Sequence, residues 1–243
     1  MLTKNQIKLI HSLRQKKYRT FHHMFVAEGV KVVHEFLNSN YELVEIFSND
    51  LSYSNCSSNF TEVSSKELSK ISTFSEPNKV LAIFKTPLAV SVNWSGLVLA
   101  LDNINDPGNL GTIIRLCDWF GINDLVCSKN TVDCYNSKVV QSGMGSHARV
   151  NITYLDIQMA LEHSETCFGA FMEGISIYDQ NLPEKGVIVL GNEANGISKE
   201  IEALINTRLS IPRFGSLKQT ESLNVANAAA IILSEFKRTA TEK

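Results

Sequence analysis

The stretch VIVLGNEANGIS, from Val187 to Ser198, joins an apolar run to a polar turn. Four apolar residues lead into Gly191, and a second glycine, Gly196, comes just before a helical pattern begins. A strand-to-helix turn needs a glycine and a cap, but it does not need the carboxylate of Glu193. The stretch therefore predicts a buried strand whose carboxyl end carries a loop that binds a ligand or orients another group.

Strand and helix patterns alternate on both sides of this stretch. GLVLALDNI, DLVCSKN and KGVIVLGNE are strand patterns, and NLGTIIRLCDWFG and SKEIEALIN are helix patterns. Such alternation over residues 94–243 predicts an α/β domain with a mostly parallel sheet and helices on both faces. Residues 1–88 have the patterns of a small α/β domain, and TPLAVSVNWSG between them is typical of a linker.

The composition excludes several classes of protein. The net charge of −2 over 243 residues means that any contact with nucleic acid must come from a local patch. No apolar stretch is long enough to span a bilayer, and the N-terminus lacks the apolar core of a secretory signal. The five cysteines are scattered without a C-x-x-C pair, which argues against a disulfide framework or a metal site and favours the reducing cytoplasm.

A second polar loop lies in LDNINDPGNLGTIIR, from Leu101 to Arg115. A strand ends in Asp-Asn, and a helix begins near Asn109. Arg115 projects opposite the apolar face of that helix, where its guanidinium could hold a phosphate or an activated oxygen. The alternative is a surface ion pair between Arg115 and Asp118, which would contribute little.

The third stretch is SIPRFGSLKQTESLNVANAAAIILSEF. Ile-Pro ends a strand, and Ser222 and Asn224 then open an alanine-rich helix, either as caps or as functional groups. Its apolar repeat predicts a helix that is deeply buried or part of a dimer seam. A further pattern, G-x-G-x-x-A from Gly143 to Ala148, fits a dinucleotide fingerprint but follows a helix pattern, so an NAD site there is disfavoured.

The N-terminal segment is locally basic. From Met1 to Ala27 there is no acidic residue, and Tyr18 and Phe21 lie among the charges. Positive charge beside aromatic rings suits an RNA backbone with unstacked bases, although a solvated helix face is the alternative. The candidate RNA-binding residues are Lys4, Lys8, Arg14, Lys16, Lys17 and Arg19.

Taken together, the three loop stretches resemble the signature of the SpoU (TrmH-type) RNA ribose methyltransferases of the SPOUT class. The order N-x-G-x-x-x-R, L-G-N-E-x-x-G-[IL]-S and I-P…S-L-N-V is met by residues 109–115, 190–198 and 211–225. The N-terminal segment is similar to the substrate-binding domain often fused ahead of the catalytic one. The loop at 215–221 is longer than is usual in the family.

The resemblance implies a C-terminal trefoil knot that holds S-adenosylmethionine, and a homodimer with its active sites at the interface. It implies methyl transfer to a ribose 2′-hydroxyl, with ribosomal RNA favoured over transfer RNA. A non-catalytic RNA-binding protein on the same fold, and methylation of a base nitrogen, remain alternatives. It assigns catalytic roles to Asn109, Arg115, Glu193 and Asn224, and cofactor contacts to Leu190, Gly191, Ile211 and Leu223.

Overall fold

A computed structural model describes residues 2–56, 59–215, 217 and 222–241. Residues 216 and 218–221 of the long predicted loop therefore lie outside the described residues. The chain divides into two compact units, one formed by residues 1–89 and 133–148 and the other by residues 90–132 and 149–243. Within the described ranges, no helix combines the length and the apolar character that a membrane crossing requires.

The elements follow the predicted alternation, with β3, α2 and three short 3₁₀ helices as additions. The helices are α1 (Lys4–Ser12), α2 (Lys16–His22), α3 (Val30–Leu37), α4 (Ser65–Ile71), α5 (Pro107–Phe120), α6 (Ser137–Gly143), α7 (Ile157–Glu162), α8 (Lys199–Glu202) and α9 (Val225–Thr241). The strands are β1 (Met24–Glu28), β2 (Leu43–Ser48), β3 (Phe60–Glu62), β4 (Val80–Lys85), β5 (Leu97–Leu101), β6 (Asp124–Cys127), β7 (Asn151–Tyr154), β8 (Cys167–Ser176), β9 (Gly186–Leu190) and β10 (Thr207–Ser210).

In the described part of the first unit, four strands pair in the order β1-β4-β2-β3. The β1–β4 and β4–β2 pairs are antiparallel, and the β2–β3 pair is parallel. Phe25, Phe36 and Phe84 meet in the core of this unit with ring centroids 5.1–5.9 Å apart. These contacts are in the range of favourable aromatic pairs, so the three rings anchor α3 on the sheet.

The described strands of the second unit form a sheet in the order β10-β8-β9-β5-β6-β7, in which every pairing is parallel. This confirms the mostly parallel sheet. Every residue of β5, β6 and β9 is buried, which is the pattern of strands covered by helices on both faces.

Helices α5 and α9 of the second unit contact each other. Asn109 and Arg115 lie in α5, and Asn224 directly precedes α9. Asp106 caps the start of α5, Pro107 occupies its first turn, and Gly121 ends it with φ 63°. The apolar repeat of α9 is buried within the unit, where Phe236 meets Phe168 of β8 edge-on at 5.2 Å. Burial in this unit therefore accounts for the repeat.

The order of the strands brings the polar loops to one edge. Leu101 at the end of β5 pairs with Leu190 at the end of β9, so the loops that follow them start side by side. Strand β10 runs parallel to both and ends at the same edge, separated from β9 by β8. Ligands of open parallel sheets bind at this edge, beyond the carboxyl ends of the strands.

Candidate active site

Three predicted catalytic residues meet in one chain of hydrogen bonds, which we call the amide relay: Asn224, Asn109 and Glu193. Asn224 donates from Nδ2 to Asn109 Oδ1 at 2.8 Å, and Asn109 donates from Nδ2 to Glu193 Oε1 at 2.9 Å. The residues come from three separate stretches, with 115 and 84 positions between the partners. Glu193 thus binds Asn109.

The relay is fixed at both amide ends by helix starts. The backbone N–H of Asn109 donates to Asp106 Oδ1 at 2.8 Å, in the first turn of α5. Asn224 Oδ1 accepts from the backbone N–H of Ala226 at 2.9 Å, at the start of α9. Asn224 therefore acts as a cap and as a relay member at once, so the two functions that the sequence offered for it do not compete.

The carboxylate end of the relay lies in a tightly folded turn. Asn192 and Gly196 exchange two backbone hydrogen bonds of 2.9 Å, which closes the loop that carries Glu193. A Cβ atom on Gly191 would lie 2.2 Å from the backbone carbon of Gly196. Gly196 itself has φ +69°. Glycine is required at position 191 for lack of space and is favoured at 196 by its backbone angle.

Sequence reasoning missed the residues that join this turn to the loop after β5. The buried carboxylate of Asp102 accepts from the backbone N–H of Ser198 at 2.8 Å through Oδ2. Asn192 Nδ2 donates to the carbonyl of Asn103 at 2.6 Å, and Asn103 has φ 60°. The signal was the Asp-Asn pair directly after a buried strand, but its partners lie about 90 positions away.

Arg115 is the predicted catalytic residue that lies outside the relay. Its side chain is exposed on α5, six positions beyond Asn109. The carboxylate of Asp118 binds Arg149 at 2.8 Å, so the surface pair between Arg115 and Asp118 is not formed. Among the described residues, Arg115 has neither a hydrogen bond nor a salt bridge, which leaves its guanidinium able to hold an added anion.

The predicted cofactor residues lie at the same edge of the sheet. Leu190 ends β9 and is buried, Gly191 follows it, and Ile211 comes directly after β10. Strand β8 lies between β9 and β10, so the two strands are two spacings of about 4.8 Å apart in the sheet. Leu223 exposes 48% of its surface and adjoins Asn224. These residues present backbone groups and aliphatic surface at the edge where ligands of open parallel sheets bind.

The basic residues of the N-terminal segment separate into two groups. Lys4, Lys8, Lys16 and Lys17 are exposed, and so is Arg14, which donates to the carbonyls of Ile71 and Ser72. Arg19 is buried instead, with a 2.5 Å ion pair to Asp133 and bonds to the carbonyls of Leu13 and Arg14. Across the ranges that the structure describes, no three His, Cys, Asp or Glu side chains are grouped to hold a metal ion.

Two family models match the chain. The model of the SpoU rRNA Methylase family matches residues 96–234, and the model of the MRM3-like substrate binding domain matches residues 4–82. The first match contains the whole amide relay and Arg115. The second contains the exposed basic residues.

Individual proteins match over nearly the whole chain. A TrmH-family chain of known structure from Porphyromonas gingivalis is 38% identical, with a TM-score of 0.87 over 98% of this chain and 99% of that chain. An AdoMet-bound rRNA methyltransferase from Sinorhizobium meliloti is 26% identical, with a TM-score of 0.85 over 98% and 96% of the two chains. The 23S rRNA (guanosine(2553)-2′-O)-methyltransferase RlmP of Bacillus subtilis is 29% identical, over 96% of this chain and 97% of that protein.

Proposed function

This chain belongs to the SpoU rRNA methylase family, and we propose from that premise that it transfers a methyl group from S-adenosylmethionine to a ribose 2′-hydroxyl of ribosomal RNA. The names of the Bacillus subtilis relative and of the AdoMet-bound structure support the reaction and the cofactor. The observation that carries the proposal is the amide relay, because it joins three distant polar stretches at the sheet edge.

The division of labour follows from the chemistry of the donor. The sulfonium of S-adenosylmethionine supplies a methyl group that is already activated. The protein must therefore align the ribose hydroxyl with the donor and help that hydroxyl to lose its proton. We assign these tasks to Asn109, Arg115, Glu193 and Asn224.

Arg115 is assigned to the ribose or to the phosphate beside it. A guanidinium stays protonated in proteins and presents donors in a planar fork, so it is a poor base but a good partner for an oxyanion. Arg115 stabilises the negative charge that develops on the 2′-oxygen. The lack of a protein partner among the described residues supports this assignment, since a paired arginine would have to break that pair first.

Glu193 sets the orientation of the Asn109 amide. An ionised carboxylate can only accept hydrogen bonds, so Asn109 must turn Nδ2 toward Glu193 and Oδ1 toward Asn224. Without the carboxylate the amide could flip. Glu193 and Asn224 are thus positioning residues, and Asn109 presents a fixed amide beside the reacting groups.

The cofactor is assigned to Leu190, Gly191, Ile211 and Leu223, and the trefoil knot of the family is proposed for the segment that includes β10 and α9. A Gly191→Ala variant tests the cofactor assignment. Its added methyl would meet the backbone at 196 and 197, so binding of S-adenosylmethionine by calorimetry should be lost.

A homodimer is proposed from the outward side of α9. The groove there is lined by Phe120, Tyr178, Ala230, Ile231, Ser234 and Glu235. Trp119, which precedes Phe120 in the chain, exposes 83% of its surface. A large exposed aromatic side chain next to a groove with apolar lining is typical of an interface, and a second copy of the chain is the proposed occupant. Light scattering should give the mass of two chains for the wild type and the mass of one chain for Ile231→Glu.

The first domain, which the sequence places at residues 1–88, is proposed to bind the RNA through Lys4, Lys8, Arg14, Lys16 and Lys17. The match of residues 4–82 to a substrate-binding domain supports this role. Arg19 is not included because its guanidinium is already bound inside the unit. All five cysteines lie in the described residues as thiols, in keeping with a reaction in the cytoplasm.

The decisive experiment incubates the purified chain with methyl-labelled S-adenosylmethionine and either total ribosomal or total transfer RNA. Mass spectrometry of the digested product should find a 2′-O-methylnucleoside from ribosomal RNA. A methylated base would contradict the assignment of the ribose as the acceptor. Labelling of transfer RNA alone would contradict the assignment of ribosomal RNA as the substrate. Cofactor binding without any transfer would favour the non-catalytic alternative.

A further inference from the structure

We propose that Phe21, on the exposed face of α2, is a stacking platform for an unpaired base of the RNA substrate. The proposal rests on the proposed function, in that it takes the partner to be RNA. It assigns to this side chain a role that differs in kind from that of the lysines around it. The lysines attract the phosphates, whereas the ring contacts a base.

Phe21 is an apolar ring placed in water. It exposes 76% of its surface, whereas Phe25, Phe36 and Phe84 of the same unit are fully buried in its core. Its ring meets His22 edge-on, with centroids 4.9 Å apart. Because most of its surface is exposed, the ring is open to a base, and an accessible ring face is what stacking requires.

The helix geometry sets Phe21 beside positive charge. Lys17 precedes Phe21 by four positions, so the two share one face of α2. Lys17 Nζ also lies 5.8 Å from the ring centre of Tyr18, which is partly exposed. Residues 1–27 contain no acidic side chain. An RNA strand fits this surface better than a protein does, because it brings phosphates and planar bases together.

The platform is held rigidly from behind. Arg19 lies two positions from both Lys17 and Phe21, and therefore points to the opposite side of the helix. There it binds Asp133 and the carbonyls of Leu13 and Arg14. A helix fixed in this way presents its outer face without a large cost in ordering on binding.

The test separates stacking from charge. Binding of a fluorescein-labelled oligo(A) 20-mer and of an abasic ribose-phosphate 20-mer is measured by anisotropy at several salt concentrations. For Phe21→Ala we expect roughly 5- to 100-fold weaker binding to oligo(A), an unchanged salt slope, and no change on the abasic strand. For Lys17→Gln we expect the slope of log K against log salt to fall by about 0.7 on both strands.

Matched variants identify the ring as the cause. Phe21→Trp should retain the affinity for oligo(A), and Phe21→Leu should lose as much as Phe21→Ala. Leu51→Ala is the control, since Leu51 exposes 60% of its surface in the same unit but follows Asp50. It should change nothing.

Three results would overturn the platform: no binding of oligo(A) by the wild type, an equal loss on both strands for Phe21→Ala, or full affinity for Phe21→Leu. These outcomes are separable from the proposed function. If the wild type methylates ribosomal RNA but Phe21→Ala binds oligo(A) normally, the stacking proposal is wrong and the proposed reaction stands. If the binding data show stacking but no methyl group is transferred, the proposed reaction is wrong and the stacking proposal stands.

Discussion

The polar groups of the two units differ in how far their hydrogen-bonding capacity is used. In the first unit Arg19 is buried, and its guanidinium is divided among Asp133 and two carbonyls. In the second unit Arg115 is exposed, with no partner among the described residues, and Glu193, the acceptor of the amide relay, is also exposed. The buried arginine holds the chain of its own unit together. The exposed arginine is presented outward, as a binding group must be.

The contrast teaches what residue type alone does not determine. Both arginines lie on helices, and both were candidates for contacts with RNA. Their roles diverge because one side chain meets a carboxylate from a segment 114 positions away and the other does not. Substitution of Arg115 should therefore lower activity and leave stability unchanged, whereas substitution of Arg19 should lower stability.

The largest effect is expected for Arg115→Lys. A lysine keeps the charge but loses the planar fork, and removal of one donor to a developing oxyanion lowers the rate by about 10²–10³-fold. Single-turnover transfer from labelled S-adenosylmethionine measures the loss. The melting temperature and cofactor binding should not change, because the side chain is exposed. Near-normal turnover would show that methyl transfer does not need the planar guanidinium of Arg115, and the proposed contrast with Arg19 would fail.

Arg19→Met should act on stability instead. It leaves the Asp133 carboxylate, whose side chain is 16% exposed, without its cation, and loss of one partner of a buried pair costs about 3 kcal/mol or more. Urea unfolding of the full chain measures the change. Lys17→Met, on the opposite face of the same helix, is the control and should change the free energy of unfolding by less than about 0.5 kcal/mol. Equal effects of the two variants would refute the burial argument.

The sequence was informative where the information is local. The buried strands β5 and β9 follow from their apolar runs, and α5 follows from its periodicity between a proline and a glycine. The convergence of the three loops came from a resemblance, because no local rule joins positions 109, 193 and 224. The packing of residues 133–148 in the first unit was not foreseen, since it depends on contacts with β1 that are more than a hundred positions away.

His147 gives the stability of the first unit a pH dependence. Its Nε2 donates to the carbonyl of Cys134 at 2.9 Å, while its buried Nδ1 finds no partner among the described residues. Burial lowers the pKa of His147 to about 4, against smaller raising effects of the Cys134 carbonyl and the Asp133 charge. Protonation would place a second N–H where nothing accepts it.

The sign follows from proton binding. Between pH 6.5 and 4 the unfolded chain binds more protons than the folded chain, so stability rises with pH and is complete above about pH 6.5. We expect a loss of about 2 kcal/mol on going from pH 7.5 to pH 5. His147→Gln should flatten this dependence in denaturant titrations, and His163→Gln, at an exposed site, should not. The same slope in all three proteins would exclude His147 as its source.

The smallest effect is expected for the relay, and it is the most specific test of the contrast. Glu193→Ala removes the acceptor that orients Asn109 and should lower kcat about tenfold, because a hydrogen bond to an exposed charge is worth about 1.5 kcal/mol. Glu193→Gln keeps an acceptor oxygen and should lose less. Glu200→Ala, an exposed carboxylate on the neighbouring helix α8, is the matched control and should retain full activity.

A double-mutant cycle shows whether the relay acts as one unit. If Glu193 works only by orienting Asn109, the Asn109→Ala variant already forfeits that benefit, and adding Glu193→Ala should cost little more. Additive losses in kcat would mean that Glu193 acts on the substrate or cofactor directly. Unchanged stability in every member of the cycle is part of the expectation, because the exposed relay, unlike the Arg19 pair, holds no buried charge in place.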